Sequence, residues 1–323
     1  MATETRPYSP RASLIYNLLL STRWLDDNKQ TSRLWQKAWR KSCDLFSCPV
    51  KTNIHSRPVI LNYGHTYPVY SRKFPTLNNP LVELVYQSYV SMGRAVTFLD
   101  IGANIGDSVL LLDSNCPAMI KEFCCIEGDE EFFTYLQSNL SFLNNGVLIS
   151  SLISATNGTG KALLRTDAGT SSSQGGRQIP TSTLDAILSE SCLRQFDVVK
   201  IDVEGLDGQV LQGAGQLLSH QPALIFEWHP ILCSKTGNDW TDPFHTLTAS
   251  GYTRFLWFTK FGNFSHFTAG YDVESINMLA QFCLRSQVVY DWHYDVIALH
   301  RDSSISDIDL ADLRFARKRK SSY

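Results

Sequence analysis

Two glycines and an asparagine follow a short apolar run in the segment TFLDIGANIGDSVLLL, and their spacing suits contact between the backbone and a ligand. Gly102, Asn104 and Gly106 occupy every second position, and Asp100 and Asp107 flank them. Glycine lets the chain approach a ligand closely. A helix that starts after the glycines would point its N–H groups and the positive end of its dipole at that ligand. The pattern therefore indicates a binding loop for a phosphate or a nucleoside.

The spacing of this loop excludes the two commonest phosphate motifs. A dinucleotide site needs glycine at the first, third and sixth positions. Counted from Gly102, the third and sixth positions hold Asn104 and Asp107. The carboxylate of Asp107 would also repel a pyrophosphate, and no Gly-Lys-Ser/Thr follows to make a P-loop. A nicotinamide-dependent dehydrogenase is therefore the weaker interpretation.

A nucleoside that is itself a cation fits the flanking carboxylates better. S-adenosylmethionine has a sulfonium, an ammonium and a carboxylate. Asp100 can accept a hydrogen bond from the ammonium or polarise the loop, and the loop amides can hold the carboxylate. Glu127 ends the next apolar run, CIEGD, where its two oxygens could accept from both ribose hydroxyls. The expected donor-binding residues are Asp100, Gly102, Asn104, Gly106, Asp107, Glu127, Gly128 and Asp129.

A second group of ionisable residues lies in two later apolar runs. In VVKIDVEG, period-two geometry would place Lys200, Asp202 and Glu204 on one side of a strand, and in IFEWHP it does the same for Glu227 and His229. If these strands end beside the first one, all five side chains converge near the methyl donor. Structural roles remain open, including a Lys200–Glu227 ion pair and a helix cap by Glu204.

Methyl transfer from a sulfonium to a nucleophile is an in-line displacement that depends on alignment of the reacting atoms. Where the nucleophile carries a proton, as a hydroxyl does, a base beside it should accelerate the transfer by about 10²–10⁴-fold, and His229 or Asp202 is the expected base. Asp202, Glu204, Glu227 and His229 could instead bind a metal, but no resident metal is expected.

The strands and helices that would position these residues alternate from residue 96 onward. Apolar, β-rich runs such as VTFLDIG and PALIFEWHP are separated by segments with helical periodicity. Such alternation predicts an α/β fold with a parallel sheet covered by helices on both faces. Two late strand-like runs, YTRFLWF and WHYDVIAL, predict an antiparallel edge.

Composition excludes several other classes of protein. The chain has 323 residues, of which 43% are hydrophobic and 19% charged, with a formal net charge of −2. This is enough for one full core with an appendage, and it gives no broad attraction to nucleic acid. No apolar stretch is long enough for a transmembrane segment. The eight cysteines form no CxxC pair, which indicates reduced thiols and a cytoplasmic protein.

Five blocks of sequence together resemble the FkbM-type methyltransferases. They are FLDIGANIGDSV, CIEGDEEFF, TLDAIL, FDVVKIDVEGLDGQVLQGA and PALIFEWHP, within a similarity that covers about residues 96–300. The resemblance implies a Rossmann-like class I fold with a mostly parallel seven-stranded sheet, S-adenosylmethionine as cofactor and methylation of a hydroxyl oxygen. Asp100, Gly102, Asn104, Gly106 and Glu127 match the family's donor site, and Asp202, Glu204 and Gly205 match its DVEG block.

The acceptor is suggested by resemblance alone. The flanking segments YPVYSRKFP and WHYDVIALH are similar to FkbM-type proteins found with surface-polysaccharide assembly, which implies a sugar hydroxyl in a polysaccharide precursor. A small natural product and a non-catalytic scaffold that binds S-adenosylmethionine remain alternatives. The sequence does not indicate an oligomeric state.

The sequence predicts three parts of the chain. Residues 1–57 have helical periodicity and form an N-terminal extension, residues 58–300 form the methyltransferase domain with its core at 96–230, and residues 301–323 are a polar and basic tail. The segment GTSSSQGGRQ at 169–178 is either a solvated connector or an active-site flap. The RKRK run at 317–320 is a solvated terminus or makes a weak contact with an anionic membrane surface.

Overall fold

A central sheet of eight strands organises the computed structural model, which describes residues 7–27, 29–161, 164–165, 171–172, 178–193, 195–285 and 292–318. The N-terminal part contains α1 (Pro10–Ser21), a 3₁₀ turn (Arg23–Asp27), α2 (Ser32–Leu45), β1 (Pro49–Ile54), β2 (Arg57–Asn62), α3 (Tyr67–Lys73) and α4 (Asn79–Met92). The first half of the core contains β3 (Val96–Ile101), α5 (Asp107–Asn115), β4 (Ile120–Glu127), α6 (Glu130–Asn139) and β5 (Gly146–Ser150).

Four short strands and the second half of the core follow. They are β6 (Gly158–Lys161), β7 (Leu164–Arg165), β8 (Ser171–Ser172), β9 (Gln178–Thr181), α7 (Leu184–Ser189), β10 (Val198–Ile201), α8 (Asp207–Gln212), α9 (Gly215–Ser219) and β11 (Ala223–Trp228). The rest contains α10 (Pro230–Thr236), α11 (Asp242–Ala249), β12 (Tyr252–Thr259), β13 (Phe264–Ala269), α12 (Val273–Arg285), β14 (Tyr294–His300), α13 (Asp307–Asp312) and α14 (Arg314–Lys318).

The sheet confirms the expected α/β fold, with parallel central strands and an antiparallel edge, and it has one strand more than expected. Its order is β13-β12-β14-β11-β10-β3-β4-β5, and the neighbours from β11 to β5 are parallel. The expectation of seven strands was wrong by β13, which pairs antiparallel with β12 at the edge. The chain leaves β3 toward β4 and later returns to its other side at β10. This reversal opens a crevice at the carboxyl ends of β3 and β10, where ligands bind in open α/β sheets.

Both faces of the sheet are buried because successive side chains alternate between two apolar clusters. Phe98 and Cys125 pack in the cluster under α4, α5 and α6, whereas Leu99 and Cys124 pack in the cluster under α8 and α11. This alternation explains why the strands read as near-continuous apolar runs. All eight cysteines are free thiols, as expected.

The N-terminal extension contains a β-hairpin that the helical interpretation of residues 1–57 missed. β1 alternates buried and exposed residues and pairs with β2 across a two-residue turn. His55 and Ser56 form that turn with φ of 49° and 63°, whereas such turns normally use Asn-Gly or Asp-Gly. Because the turn lacks that signature, the hairpin was not predicted from the sequence. Tyr16 and Val50 belong to the main apolar cluster, so the extension packs directly on the core.

The C-terminal segment also folds back onto the core, where a polar tail was expected. Leu310, Leu313 and Ala316 are buried, and the Ala316 N–H donates to the Glu83 carboxylate on α4 at 2.9 Å. Part of the RKRK run and most of residues 169–178 lie outside the described residues. Among the helices that the structure describes, none combines the length and the apolar character needed to span a bilayer.

Candidate active site

The loop between β3 and α5 is held in a conformation that its glycines and asparagine make accessible. Gly102, Asn104 and Gly106 have φ of 79°, 48° and 88°, a region that residues other than glycine, asparagine and aspartate rarely adopt. A Cβ on Gly102 would collide with the backbone carbonyl oxygen of Asp202, in the loop after β10. Gly102 therefore lets the two loops at the switch point approach each other. From the sequence, glycine at this position was explained by contact with the ligand alone.

Glu127 at the end of β4 holds this loop from the other side. One of its carboxylate oxygens accepts from the Asn104 N–H at 2.7 Å, and the other accepts from the Asp129 N–H at 2.7 Å. Burial raises the pKa of Glu127 to about 7, although the two N–H donors oppose the rise. The Asp129 side chain caps α6 by accepting from the N–H groups of Glu131 and Phe132. Gly128 lies between Glu127 and Asp129 in the sequence. The structure thus brings Glu127 against the glycine loop, where the sequence analysis expected it.

His65 is a part of the loop environment that the sequence analysis missed. Its Nδ1 accepts from the Tyr67 N–H at 3.3 Å, so the ring proton lies on Nε2, which is 3.1 Å from Oδ1 of Asn104. The ring also packs edge-on against Phe132, with centroids 6.1 Å apart. The segment after the β-hairpin therefore fixes the Asn104 side chain. The segment YPVYSRKFP begins two residues after His65, but nothing in its composition or spacing selects His65.

Lys200 joins the first strand to the loop after β10. Its ammonium is 3.5 Å from Oδ1 of Asp100 and 3.1 Å from Oδ2 of Asp202. Burial lowers the pKa of Lys200, but the charges of Asp202, Asp100 and Asp107 outweigh this and raise it well above its usual value. The alternative Lys200–Glu227 pair was therefore wrong, because the β10–β3 register places Lys200 beside Asp100.

The period-two argument assumed that Asp202 and Glu204 lie on a strand, but they do not. β10 ends at Ile201, and both residues belong to the turn that leads into α8. Glu204 has φ of 55° and Gly205 has φ of 85°. The N-cap of α8 is Leu206, so Glu204 is not the cap residue. The turn still leaves Asp202 at the carboxyl edge of the sheet, beside the glycine loop.

Carboxyl groups outnumber cations around this edge. Burial raises the pKa of Asp100, and it raises that of Asp107 and of Asp295 to about 7 each. Both carboxyl oxygens of Asp207 are buried without a hydrogen-bond partner, and burial followed by the charge of Asp202 raises its pKa well above the usual range. A positively charged ligand would relieve this accumulation of acidic groups. Asp207 and Asp295 were not predicted as site residues, although they are the last residues of the segments EGLD and WHYD.

Two histidines and a glutamate meet at the end of β11. Nε2 of His293 is 3.2 Å from Oε1 of Glu227, and the His293 ring stacks on that of His229 with centroids 4.8 Å apart. His229 is buried and accepts the Leu232 N–H at Nδ1, 3.4 Å away, at the start of α10. His293 was not among the expected site residues. It reaches the site because Trp228 pairs with Tyr294, so the residue before β14 lies just beyond the end of β11.

Residues 100–253 match the family model described as the methyltransferase FkbM domain. This segment is an FkbM methyltransferase domain. The match confirms the family that the sequence resembles. The FkbM domain begins at Asp100 and contains the glycine loop, Glu127, the DVEG turn and His229, while His65 and His293 lie outside it.

Two solved structures that are similar to the chain are distant from it in sequence. A methyltransferase FkbM from Methylobacillus flagellatus KT is 16% identical with a TM-score of 0.39, and the match covers 63% of this chain and 43% of that one. The N-methyltransferase NodS from Bradyrhizobium japonicum WM9 is 12% identical with a TM-score of 0.37, covering 70% of this chain and 97% of that one. This chain thus spans less than half of the Methylobacillus protein. No curated protein matches the sequence.

The residues of the FkbM domain suit the cationic cofactor. The glycine loop ends at the N-terminus of α5, buried Asp100 forms an ion pair with Lys200, and Glu127 lies at the next strand end. Within the described part of the chain, no group of three or more His, Cys, Asp or Glu side chains is arranged to hold a metal.

Proposed function

We propose that the protein transfers a methyl group from S-adenosylmethionine to a hydroxyl oxygen, with the donor bound at the carboxyl ends of β3 and β4. The observation that supports this most strongly is Glu127, a buried carboxylate that braces the glycine loop through the Asn104 N–H at 2.7 Å. The bound cofactor supplies a methyl group on a sulfonium whose leaving group is a neutral thioether. The protein therefore needs to align the acceptor and take its proton.

The donor is held in this proposal by three groups of contacts. Each Glu127 oxygen uses one lone pair on a backbone N–H and keeps another for a ribose hydroxyl. The loop amides between Gly102 and Gly106 bind the donor's carboxylate at the start of α5. Asp100 lies beneath the loop as a negative partner for the ammonium. Asp107, Gly128 and Asp129 shape the ends of α5 and β4 around these contacts.

His293 is the side chain best placed to act as the base. His229 accepts the Leu232 N–H at Nδ1, so its other nitrogen carries the proton in the neutral ring and cannot accept one. Asp202 is committed to Lys200 at 3.1 Å. With Glu227 ionised, Nε2 of His293 donates to it and the basic lone pair is on Nδ1, an atom that is buried in this structure. Asp202 and His229 were the bases suggested by the sequence, and they now serve as comparison variants.

Glu227 orients His293 and stabilises it when it becomes charged. Burial, followed by the charges of Asp202 and Glu204, raises the pKa of Glu227 well above its usual range. A carboxylate in these surroundings is favoured by a positive partner, which His293 becomes when it takes the hydroxyl proton. The acceptor oxygen then forms its new bond to the methyl carbon, and the electrons of the broken sulfur–carbon bond stay on sulfur.

His293→Ala should lower the rate of methyl transfer by about 10²–10⁴-fold, the usual contribution of a general base. The same variant should bind S-adenosylhomocysteine within about twofold of wild type, since His293 lies on the acceptor side. Single-turnover transfer of labelled methyl, together with calorimetry, separates the two effects.

Glu227→Gln should show a smaller loss in the same assay because the amide still orients the ring but cannot stabilise its charge. His229→Asn provides the matched comparison, because it removes the stacking partner but leaves the Glu227–His293 contact. Full activity of His293→Ala, with a large loss for Asp202→Asn, would transfer the role of base to Asp202.

The first acceptor to test is a sugar hydroxyl of a surface-polysaccharide precursor, handled by a cytoplasmic enzyme. The sequence resemblance suggests this acceptor, and the eight free thiols agree with a reducing compartment. A small hydroxylated natural product is the competing acceptor. Incubation with labelled donor against nucleotide sugars, envelope glycans and hydroxylated metabolites, read by mass shift, distinguishes them. A protein that binds S-adenosylhomocysteine but methylates no member of this panel would favour the scaffold alternative.

A further inference from the structure

Exposed apolar side chains are concentrated in the N-terminal helices. Of the 16 large hydrophobic residues exposed in the described structure, seven lie between residues 8 and 45. Leu14, Leu34 and Leu45 are 72%, 70% and 77% exposed, and Trp24 in the 3₁₀ turn is 65% exposed. A concentration of large exposed apolar side chains in one segment of a folded protein is typical of an interaction surface.

These side chains point outward from helices that are firmly packed. The opposite faces of the two helices bury Tyr16 and Trp35, and the indole N–H of Trp35 donates to the Leu19 carbonyl at 3.1 Å. On α2, spacings of seven and four residues place Leu34, Lys41 and Leu45 on one solvent-facing side. Rearrangement of the helices is therefore not needed to present this surface.

The same segment is basic in an otherwise acidic protein. Residues 7–45 contain seven Lys and Arg against three Asp, whereas the whole chain has a formal net charge of −2. Asp26 pairs with Lys73 and Asp27 pairs with Arg23, so two of the three acidic groups are already neutralised. The exposed cations of α2 are Arg33, Lys37, Arg40 and Lys41.

We propose that α1, the 3₁₀ turn and α2 dock the enzyme on an anionic membrane surface. Lysine and arginine beside exposed leucines are the composition of a helix that lies in the lipid interface. An exposed tryptophan such as Trp24 prefers the headgroup level. Basic residues add attraction to anionic lipids that falls off within a Debye length. An acidic protein partner would use the charges but would not require leucines and a tryptophan exposed together.

Co-sedimentation of the full-length protein with vesicles tests this inference independently of methyl transfer. Vesicles of phosphatidylcholine with about 30% phosphatidylserine should bind the protein, and pure phosphatidylcholine should bind at least about tenfold more weakly. Raising the salt concentration should release it. Equal binding to both vesicles, or binding to neither, would overturn the proposal.

Two sets of variants separate the apolar and the charged contributions. Leu34→Gln with Leu45→Gln, and separately Lys37→Gln with Lys41→Gln, should each weaken binding at least about tenfold. They should leave methyl transfer and thermal stability unchanged, because these side chains are exposed and outside the active site.

The matched control is a second exposed apolar face, on α12. Met278 and Phe282 are 62% and 49% exposed there, but Asp272 and Glu274 lie beside them. Met278→Gln with Phe282→Gln should leave vesicle binding unchanged. If it weakens binding as much as the α2 variants do, the inference fails. It also fails if light scattering shows a dimer in solution that Leu34→Gln with Leu45→Gln dissociates, because the surface would then bind a second copy.

Discussion

Gly102→Ala should reduce methyl transfer by at least about 100-fold, because a displacement of about 1 Å in a site can cost that much. The substitution has two costs. Alanine at φ of 79° is strained by roughly 1–2 kcal/mol. Its Cβ would also overlap the backbone carbonyl oxygen of Asp202, so the glycine loop and the DVEG turn must separate. Separation displaces Asn104 from Glu127, and the measurement is turnover together with the Kd of S-adenosylhomocysteine.

Gly93→Ala separates the strain from the collision. Gly93 ends α4 with φ of 64°, and no atom lies within 4 Å of an added Cβ. This variant should lose a similar strain energy in thermal unfolding but retain turnover within about twofold. If Gly102→Ala and Gly93→Ala lose equal activity, the contact between the two loops has no functional role.

Glu127→Gln should raise the Kd of S-adenosylhomocysteine by about 10- to 100-fold, the loss expected for hydrogen bonds to a charged group of about 1.5–3 kcal/mol. Both carboxylate oxygens accept a backbone N–H, from Asn104 and from Asp129. Either orientation of the glutamine amide therefore turns an NH₂ group toward one of these donors. The variant should therefore lose affinity both because the loop is no longer held by two accepting oxygens and because a ribose hydroxyl loses its acceptor. Calorimetry measures the sum of the two losses.

The pH dependence of donor affinity should follow the same carboxylate. The pKa of Glu127 is raised to about 7 in the free protein, mainly by burial. The ionised form is the one that accepts from both hydroxyls, and protonation increases below pH 7. Affinity should therefore rise between pH 5.5 and 7.5, by up to about tenfold per unit, and level off above. Glu127→Gln should flatten this dependence, whereas Glu122→Gln, at the other end of β4, should follow wild type.

The sequence predicted the core of the fold because each parallel strand is a short apolar run between helical segments. The helix that was expected to start directly after the glycines is α5, Asp107–Asn115. The β1–β2 hairpin was missed because His55 and Ser56 make a turn that normally uses glycine. The α13–α14 segment was missed because Leu310, Leu313 and Ala316 are spaced among charged residues, and burial against α4 is a tertiary effect.

The donor half of the site was more predictable than the acceptor half. Gly102, Asn104, Gly106 and Glu127 lie within two neighbouring strand–turn–helix units, so local patterns place them together. His65 and His293 come from outside the βαβ core, and only the packing of the hairpin segment and the antiparallel pairing of β14 bring them in. Lys200 was expected at the site, but its partner depended on a strand register that no local pattern encodes.

A crystal structure with bound S-adenosylhomocysteine would test the central claim most directly. The account predicts that the ribose hydroxyls lie against the Glu127 carboxylate and that the amino-acid end lies on the loop from Gly102 to Gly106, above Asp100. Density for the ligand at another part of the sheet would contradict this site. A soaked crystal that leaves the carboxyl ends of β3 and β4 empty at saturating ligand would contradict it equally.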